Sequence, residues 1–95
     1  MSHLNLGSVA LEYGGDGIRV NAIAPGSTLT PAIEAWSKIQ PEQFNAVLEG
    51  IPSGKMATAE DQANTVLFLC SDLAQQINGV ILPVDGGYTA GKLQK

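Results

Sequence analysis

Tyr88 and Lys92 stand four residues apart, the spacing that brings two side chains onto one face of an α-helix. A phenol beside an ammonium is a proton-transfer pair: with a pKa near ~10, it needs such a neighbour to act as a base at neutral pH. The surrounding residues argue against the pair, because Gly86-Gly87 and Gly91 disfavour the helix it requires. Asp85 offers a carboxylate beside two glycines, Cys70 a thiol and His3 an imidazole. Cys70 continues an apolar helical stripe and is expected to be an inert core thiol. His3 has no carboxylate near it in sequence and lies in a terminus expected to fray. A single cysteine forms no internal disulfide, and no Cys/His cluster has metal-ligand spacing.

Composition narrows the classes further. Ninety-five residues make at most one small domain, which buries roughly 60–65% of the surface its unfolded chain exposes. Five Lys and Arg with a net charge of −4 argue against nucleic acid and against docking on an anionic membrane. No apolar run approaches the ~20 residues that span a bilayer. No basic patch followed by an apolar stretch opens the chain, so no secretory signal is visible. A reduced, cytoplasmic setting is the expectation.

The elements that would position these residues follow from periodicity and punctuation. A helix is expected over Leu4–Tyr13, within residues 1–13, stopped by Gly14-Gly15-Asp16-Gly17 because glycine takes the left-handed conformation cheaply. Residues 17–24 read as a strand covered on both faces, ended by Pro25-Gly26. Thr30-Pro31 starts a helix with a hydroxyl cap and a first-position proline, and Gln40-Pro41-Glu42 restarts a second, filling 31–51. Phe44, Val47, Leu48 and Ile51 form an amphipathic stripe on it. A longer helix spans 58–72, capped by Thr58, with Ala63, Val66, Leu67 and Cys70 as its apolar stripe. Residues 79–84 form a last strand, in which Pro83 favours an edge or an end. Two strands joined by helices are most simply parallel neighbours. Two such strands make a poor sheet alone, so the pattern reads as the margin of a larger doubly wound α/β domain.

Specific blocks strengthen that reading. Ala10-Leu11-Glu12-Tyr13-Gly14 and then Gly17-Ile18-Arg19-Val20-Asn21-Ala22-Ile23-Ala24-Pro25-Gly26 resemble the late helix, sixth strand and Pro-Gly turn of classical short-chain dehydrogenases/reductases. Ile51-Pro52, Thr58-Ala59-Glu60-Asp61 and Phe68-Leu69-Cys70-Ser71-Asp72 resemble the helix after that family's substrate loop. Ile77-Asn78-Gly79 and Val84-Asp85-Gly86-Gly87 resemble its seventh strand and C-terminal signature. Each block is weak alone; in this order and spacing they cover nearly the whole chain. The fold implied is the C-terminal part of a Rossmann-type parallel sheet, two parallel strands with flanking helices, incomplete as a domain.

The resemblance also implies site residues. The loop after Pro25-Gly26 would lie at the carboxyl end of a strand, where open α/β sheets bind ligands. Pro25, Gly26, Thr28 and Thr30 match the family's cofactor-contacting stretch. There the backbone at Thr28 meets the nicotinamide carboxamide, the Thr30 hydroxyl reaches the cofactor, and Pro25-Gly26 serves chiefly to turn the chain. Thr30 reads equally as a helix cap, and the roles are compatible because a helix N-terminus presents spare N–H groups to anions. Residues 32–51 match the variable substrate lid, in which Trp36, Ile39 and Phe44 either line a pocket or pack two short helices together. Asp85 falls in a tail that is structural in the family and helps pack subunits.

Other parts of the family's machinery do not occur among these residues. They are the glycine-rich turn that receives a pyrophosphate, an Asn-Asn-Ala-Gly segment, a catalytic serine, and a Tyr-x-x-x-Lys pair ahead of the sixth strand. In that pair the tyrosine passes the proton while the lysine lowers its pKa and holds the nicotinamide ribose. Tyr88 and Lys92 come after the C-terminal signature instead, so no catalytic residue is assigned to this chain. The expectation is a C-terminal segment of an NAD- or NADP-dependent oxidoreductase acting on a small-molecule carbonyl or alcohol. Alone, the segment is expected to be inactive and to bind no dinucleotide tightly. It is expected to associate with itself or with another chain of the family. The alternatives are a non-catalytic interaction module, or a truncated gene remnant.

Overall fold

The computed structural model describes residues 5–91, so His3 and Lys92 lie outside the described residues. In chain order the elements are α1 (Leu6–Tyr13), β1 (Ala22–Pro25), β2 (Thr28–Leu29), α2 (Pro31–Ile39), α3 (Pro41–Glu49), β3 (Ala57–Thr58), α4 (Ala59–Cys70) and β4 (Ile81–Val84). Short 3-10 turns follow α1, α4 and β4, at Gly14–Asp16, Asp72–Ala74 and Tyr88–Ala90. The last of these ends at an extended Gly91, so the helical geometry that a Tyr88–Lys92 pair requires stops at Ala90.

Local chemistry sets the helix boundaries. Asn5 Oδ1 accepts from the Ser8 N–H at 2.8 Å, satisfying one of the donors that an N-terminal turn leaves spare. At the other end, within the glycine-rich stop at 14–17, Gly14 keeps right-handed angles (φ −59°). The 3-10 turn carries the chain on, and Gly17 (φ 78°) makes the left-handed reversal. Thr30 caps α2 and Pro31 opens it, where the missing N–H is not needed. Thr58 caps α4 in a capping box: its Oγ1 accepts from the Asp61 N–H at 3.0 Å, and Asp61 Oδ2 accepts from the Thr58 N–H at 2.9 Å.

β1 and β4 pair in parallel, from Ala22↔Ile81 to Pro25↔Val84. Both are shorter than the strands read from sequence, because side-chain amides replace backbone rungs ahead of them. Val20 N–H donates to Asn78 Oδ1 at 2.9 Å, and Val80 N–H to Asn21 Oδ1 at 3.0 Å. The carbonyls of Val80 and Val84 point to β1. Pro83, one residue out of phase with them, therefore turns its missing N–H to the outer edge, where it costs the ladder nothing. A second parallel pair, β2 with β3, has no counterpart in the sequence reading. It joins Thr28↔Ala57 and Leu29↔Thr58, and so sets the starts of α2 and α4 side by side.

The interior is thin. Ala10, Ile51, Leu69 and Ala74 are the buried apolar residues among those described. The radius of gyration is 16.8 Å, against about 13 Å for a compact domain of 100 residues. α4 packs on β1, β3 and β4 through Leu69, with Gln62 and Thr65 half-buried beside it. The stripe expected to be its core face is exposed: Ala63, Val66, Leu67 (68%) and Cys70 are all left open to solvent. Cys70 is therefore a surface thiol in this chain, not a core one. The cause is the two-stranded sheet, which is too narrow to cover a helix on more than one side. No helix among the described residues is long and apolar enough to cross a membrane.

Candidate functional site

The carboxyl end of β1 delivers the chain into the segment 26–30. Pro25 is the last paired residue, and the Gly26 N–H closes the ladder on the Val84 carbonyl at 3.1 Å. Gly26 is required by proximity, not by its angles. A Cβ there would lie 2.5 Å from Asp85 Cβ and 2.8 Å from Asp85 Cα, too close to be relieved by a side-chain rotation.

Asp85 is fixed in turn by its own tail. Oδ1 accepts from the Gly87 N–H at 3.0 Å, and Oδ2 from the Thr89 N–H at 3.0 Å and the Thr89 hydroxyl at 2.6 Å. The Thr89 hydroxyl, against a smaller opposing effect of burial and helped by backbone N–H groups, holds the carboxyl below the usual carboxylate range. Every contact faces the protein, which makes Asp85 a turn-forming residue. Residues 51–53 clamp the same tail. The Ser53 N–H donates to the Gly86 carbonyl at 3.0 Å. Pro52 Cβ lies 3.2 Å from where a Cβ on Gly87 would stand.

Thr28 is half-buried and its hydroxyl donates to the Gly26 carbonyl at 3.1 Å. Its main chain is the distinctive feature. The Ala57 N–H donates to the Ser27 carbonyl at 3.0 Å, with Thr28 set opposite Ala57. In a parallel ladder the residues flanking the opposed one carry the bonds, so the amide and carbonyl of Thr28 face away from β3. Thr30 is exposed, and its Oγ1 accepts from the Ile33 N–H at 3.2 Å, the capping role.

The structure gathers Pro25, Gly26, Thr28 and Thr30 into one turn between β1 and α2. Of the three residues expected in a lid it joins two. Trp36 and Phe44 meet edge to face, with ring centres 6.0 Å apart and planes at 80°, fastening α2 to α3. Ile39 is 73% exposed and stands apart from that pair. A cavity of about 550 Å³ lies elsewhere, between α4 and the 53–57 segment, with Met56, Phe68 and Val84 in its wall. A second, of about 440 Å³, runs between β1 and α4 past Ile23, Val66 and Cys70. No cluster of three metal-ligating side chains occurs among the described residues. Gln62 is the contact that sequence reasoning missed. It reaches Thr28 Oγ1 at 3.5 Å and the Val84 carbonyl at 2.9 Å, residues 34 and 22 positions away, and no local signal marks it.

The chain matches residues 5–89 to the family model described as enoyl-(acyl carrier protein) reductase. It is 45% identical over 83 residues to the 2-(R)-hydroxypropyl-CoM dehydrogenase of Xanthobacter autotrophicus, covering 87% of this chain and 33% of that one. Among solved structures it superposes on a short-chain dehydrogenase/reductase family oxidoreductase from Burkholderia thailandensis. The TM-score is 0.80 and the identity 46%, with coverage of 92% of this chain and 34% of that one. It superposes as well on a putative 2-deoxy-D-gluconate 3-dehydrogenase from Agrobacterium tumefaciens with bound NADP (TM-score 0.78, 41% identity, 90% and 35% coverage). Two parallel strands, the helices flanking them and the turn after β1 are thus part of a Rossmann-type domain, and the chain belongs to the short-chain dehydrogenase/reductase family. It spans about a third of the length of the relatives it matches.

Proposed function

We propose that this chain is the C-terminal third of an NAD(P)-dependent oxidoreductase domain and forms the carboxamide side of its nicotinamide site. The observation that carries the reading is the main chain of Thr28. Its N–H and carbonyl face outward together at the carboxyl end of β1, a donor and an acceptor side by side. A primary carboxamide presents the complementary pair. The groups present therefore fit that end of a nicotinamide. Gly26 lets the chain pass Asp85 closely enough to hold Thr28 at the strand end, and β2 fixes it against β3.

When bound, the dinucleotide supplies a hydride acceptor or donor for a carbonyl or alcohol carbon. What these residues do is orient and enclose. Thr28 sets the plane of the ring by holding its carboxamide. Thr30 stands at the start of α2, whose Ala32 N–H, the one first-turn donor not taken up by Thr30, favours an anionic part of the ligand. α2 and α3, carrying Trp36, Ile39 and Phe44, form the substrate lid. No residue of this chain is assigned to proton transfer.

A graft tests the reading. The chain replaces the matched third of the Agrobacterium protein, whose structure holds NADP. The graft is expected to bind NADPH saturably, and Thr28→Pro, which removes the outward N–H, to abolish binding. A folded graft with no affinity for NADPH overturns the proposal. So does tight, stoichiometric dinucleotide binding by the chain alone.

A second reading rests on exposed apolar surface. Leu11 (86%), Leu67 and Leu73 (84%) stand in solvent on α1 and around the end of α4, and large exposed patches drive association. The chain would then act as an interaction module, pairing with itself or with a relative. Light scattering that shows a folded monomer at micromolar concentration removes this alternative.

A further inference from the structure

A carboxamide stands where α4 meets the sheet. Gln62, in the first turn of α4, is half-buried between the 26–30 turn and the end of β4. Its Nε2 donates to the Val84 carbonyl at 2.9 Å and makes a longer contact of 3.5 Å with Thr28 Oγ1. The Val84 carbonyl already accepts from the Gly26 N–H at 3.1 Å, so Gln62 takes its second lone pair. The Thr28 hydroxyl has one hydrogen, and gives it to the Gly26 carbonyl at 3.1 Å. The donors therefore run in one direction, from Gln62 to Thr28 to Gly26. Turning the amide over would set Oε1 against the Val84 carbonyl, acceptor against acceptor, so the orientation is determined by the contacts themselves.

The consequence appears at the other end of the side chain. Gln62 Oε1 is buried and has no hydrogen-bond partner among the described residues. A buried acceptor without a donor destabilises a fold, whereas an apolar side chain of similar length fills the same space without that cost. Stability alone thus favours methionine or leucine at this position. The carboxamide contributes something an apolar side chain does not: a donor that orders the Thr28 hydroxyl and ties the 26–30 turn to α4 and β4 together.

We propose that Gln62 is a positioning residue of the dinucleotide site, acting through the Thr28 hydroxyl to hold the Thr28 main chain at the angle the carboxamide requires. This rests on the reading of Thr28 given above. The test is a double-mutant cycle in the NADP-protein graft, with Gln62→Met and Thr28→Val. Gln62→Met is expected to raise the Kd for NADPH about tenfold, the loss of one positioning hydrogen bond. Its Tm should be equal or higher, a combination that a merely structural residue does not give. Thr28→Val should weaken binding similarly, and the double variant no more than either single one. Thr28→Ser, which keeps the hydroxyl, should stay sensitive to Gln62→Met.

Unchanged NADPH affinity in Gln62→Met, or weakening that multiplies in the double variant, overturns the proposal. A graft that folds but binds no NADPH overturns the function assigned to Thr28 instead. The link itself is then read in the 95-residue chain by amide NMR. Gln62→Met should shift the amide resonance of position 28, and should fail to do so in a Thr28→Val background. Resonances that do not move reject the link.

Discussion

Asn21 and Asn78 each complete the ladder for the other's segment. Asn21 Nδ2 donates to the Ile77 carbonyl at 2.9 Å while its Oδ1 accepts from the Val80 N–H at 3.0 Å. Asn78 Oδ1 accepts from the Val20 N–H at 2.9 Å, and its Nδ2 reaches the Ala10 carbonyl of α1 at 3.4 Å. Arg19 adds a third tie, donating to the carbonyls of Ile77 and Ser71 at 3.1 and 3.3 Å. Contacts between positions more than fifty apart in sequence thus close the region that the short strands leave open.

Asn21→Ala leaves the Ile77 carbonyl and the Val80 N–H without this partner and is expected to cost about 1–3 kcal/mol. Asn21→Asp should be no better, since a carboxylate keeps the acceptor but offers no hydrogen to Ile77. Urea unfolding of the graft measures both, and hydrogen exchange at Val80 locates the loss. Equal stability of wild type and Asn21→Ala would show that the amide is dispensable.

Gly26 is expected to tolerate no side chain. Gly26→Ala puts a methyl 2.5 Å from Asp85 Cβ, and overpacking against backbone typically costs about 1–3 kcal/mol. Asp85→Ala does not relieve this, because Cβ remains. Gly26→Ala with Asp85→Gly removes the closest contact, and should recover part of the stability despite losing the Thr89 bonds. Thermal unfolding of the single and double variants decides. A double variant less stable than Gly26→Ala by the full cost of Asp85→Gly would show that the two residues are independent.

Legibility in the sequence follows the range of each interaction. Thr30-Pro31, Gln40-Pro41 and Thr58 with Asp61 announce helix starts because capping is settled within four residues. β2 and β3 were invisible, since two residues carry no periodicity. The need for glycine at position 26 is created by Asp85, 59 positions on, so the Pro25-Gly26 turn was readable but its reason was not. The apolar stripe of α4 is legible as apolar, whereas its exposure is not. Periodicity finds a face that wants a partner, and in this chain the sheet supplies one only to Leu69. Gln62 escaped for the opposite reason: it is a polar residue on the covered side.

Two carboxylates should make stability depend on acid. Thr58, through its backbone N–H first and then its hydroxyl, holds Asp61 below the usual carboxylate range, as Thr89 does for Asp85. A folded-state pKa below the unfolded value means the contribution is complete above the unfolded carboxylate value, about 3.9. It is lost as the pH falls through that value toward the folded one. Unfolding midpoints should therefore drop below about pH 4, and Asp61→Asn with Asp85→Asn should flatten the drop. An unchanged acid limb in that double variant would assign the effect to other groups.

α2 and α3 should separate when their aromatic contact is removed. Trp36 is the single tryptophan of the chain, and its edge-to-face contact with Phe44 makes its emission a report on the α2–α3 junction. Phe44→Ala removes the contact, worth about 0.5–1.5 kcal/mol beyond its buried area, and should shift the Trp36 emission to the red as water reaches the indole. Ile39→Ala, at a position 73% exposed, should change stability by less than about 0.5 kcal/mol and leave the emission in place. In the graft, the proposed lid role predicts that Phe44→Ala raises the substrate KM with NADPH affinity unchanged, because that reading puts Phe44 on the substrate side and Thr28 on the cofactor side. Loss of NADPH affinity in Phe44→Ala, with the substrate KM intact, would move α3 from the substrate to the cofactor.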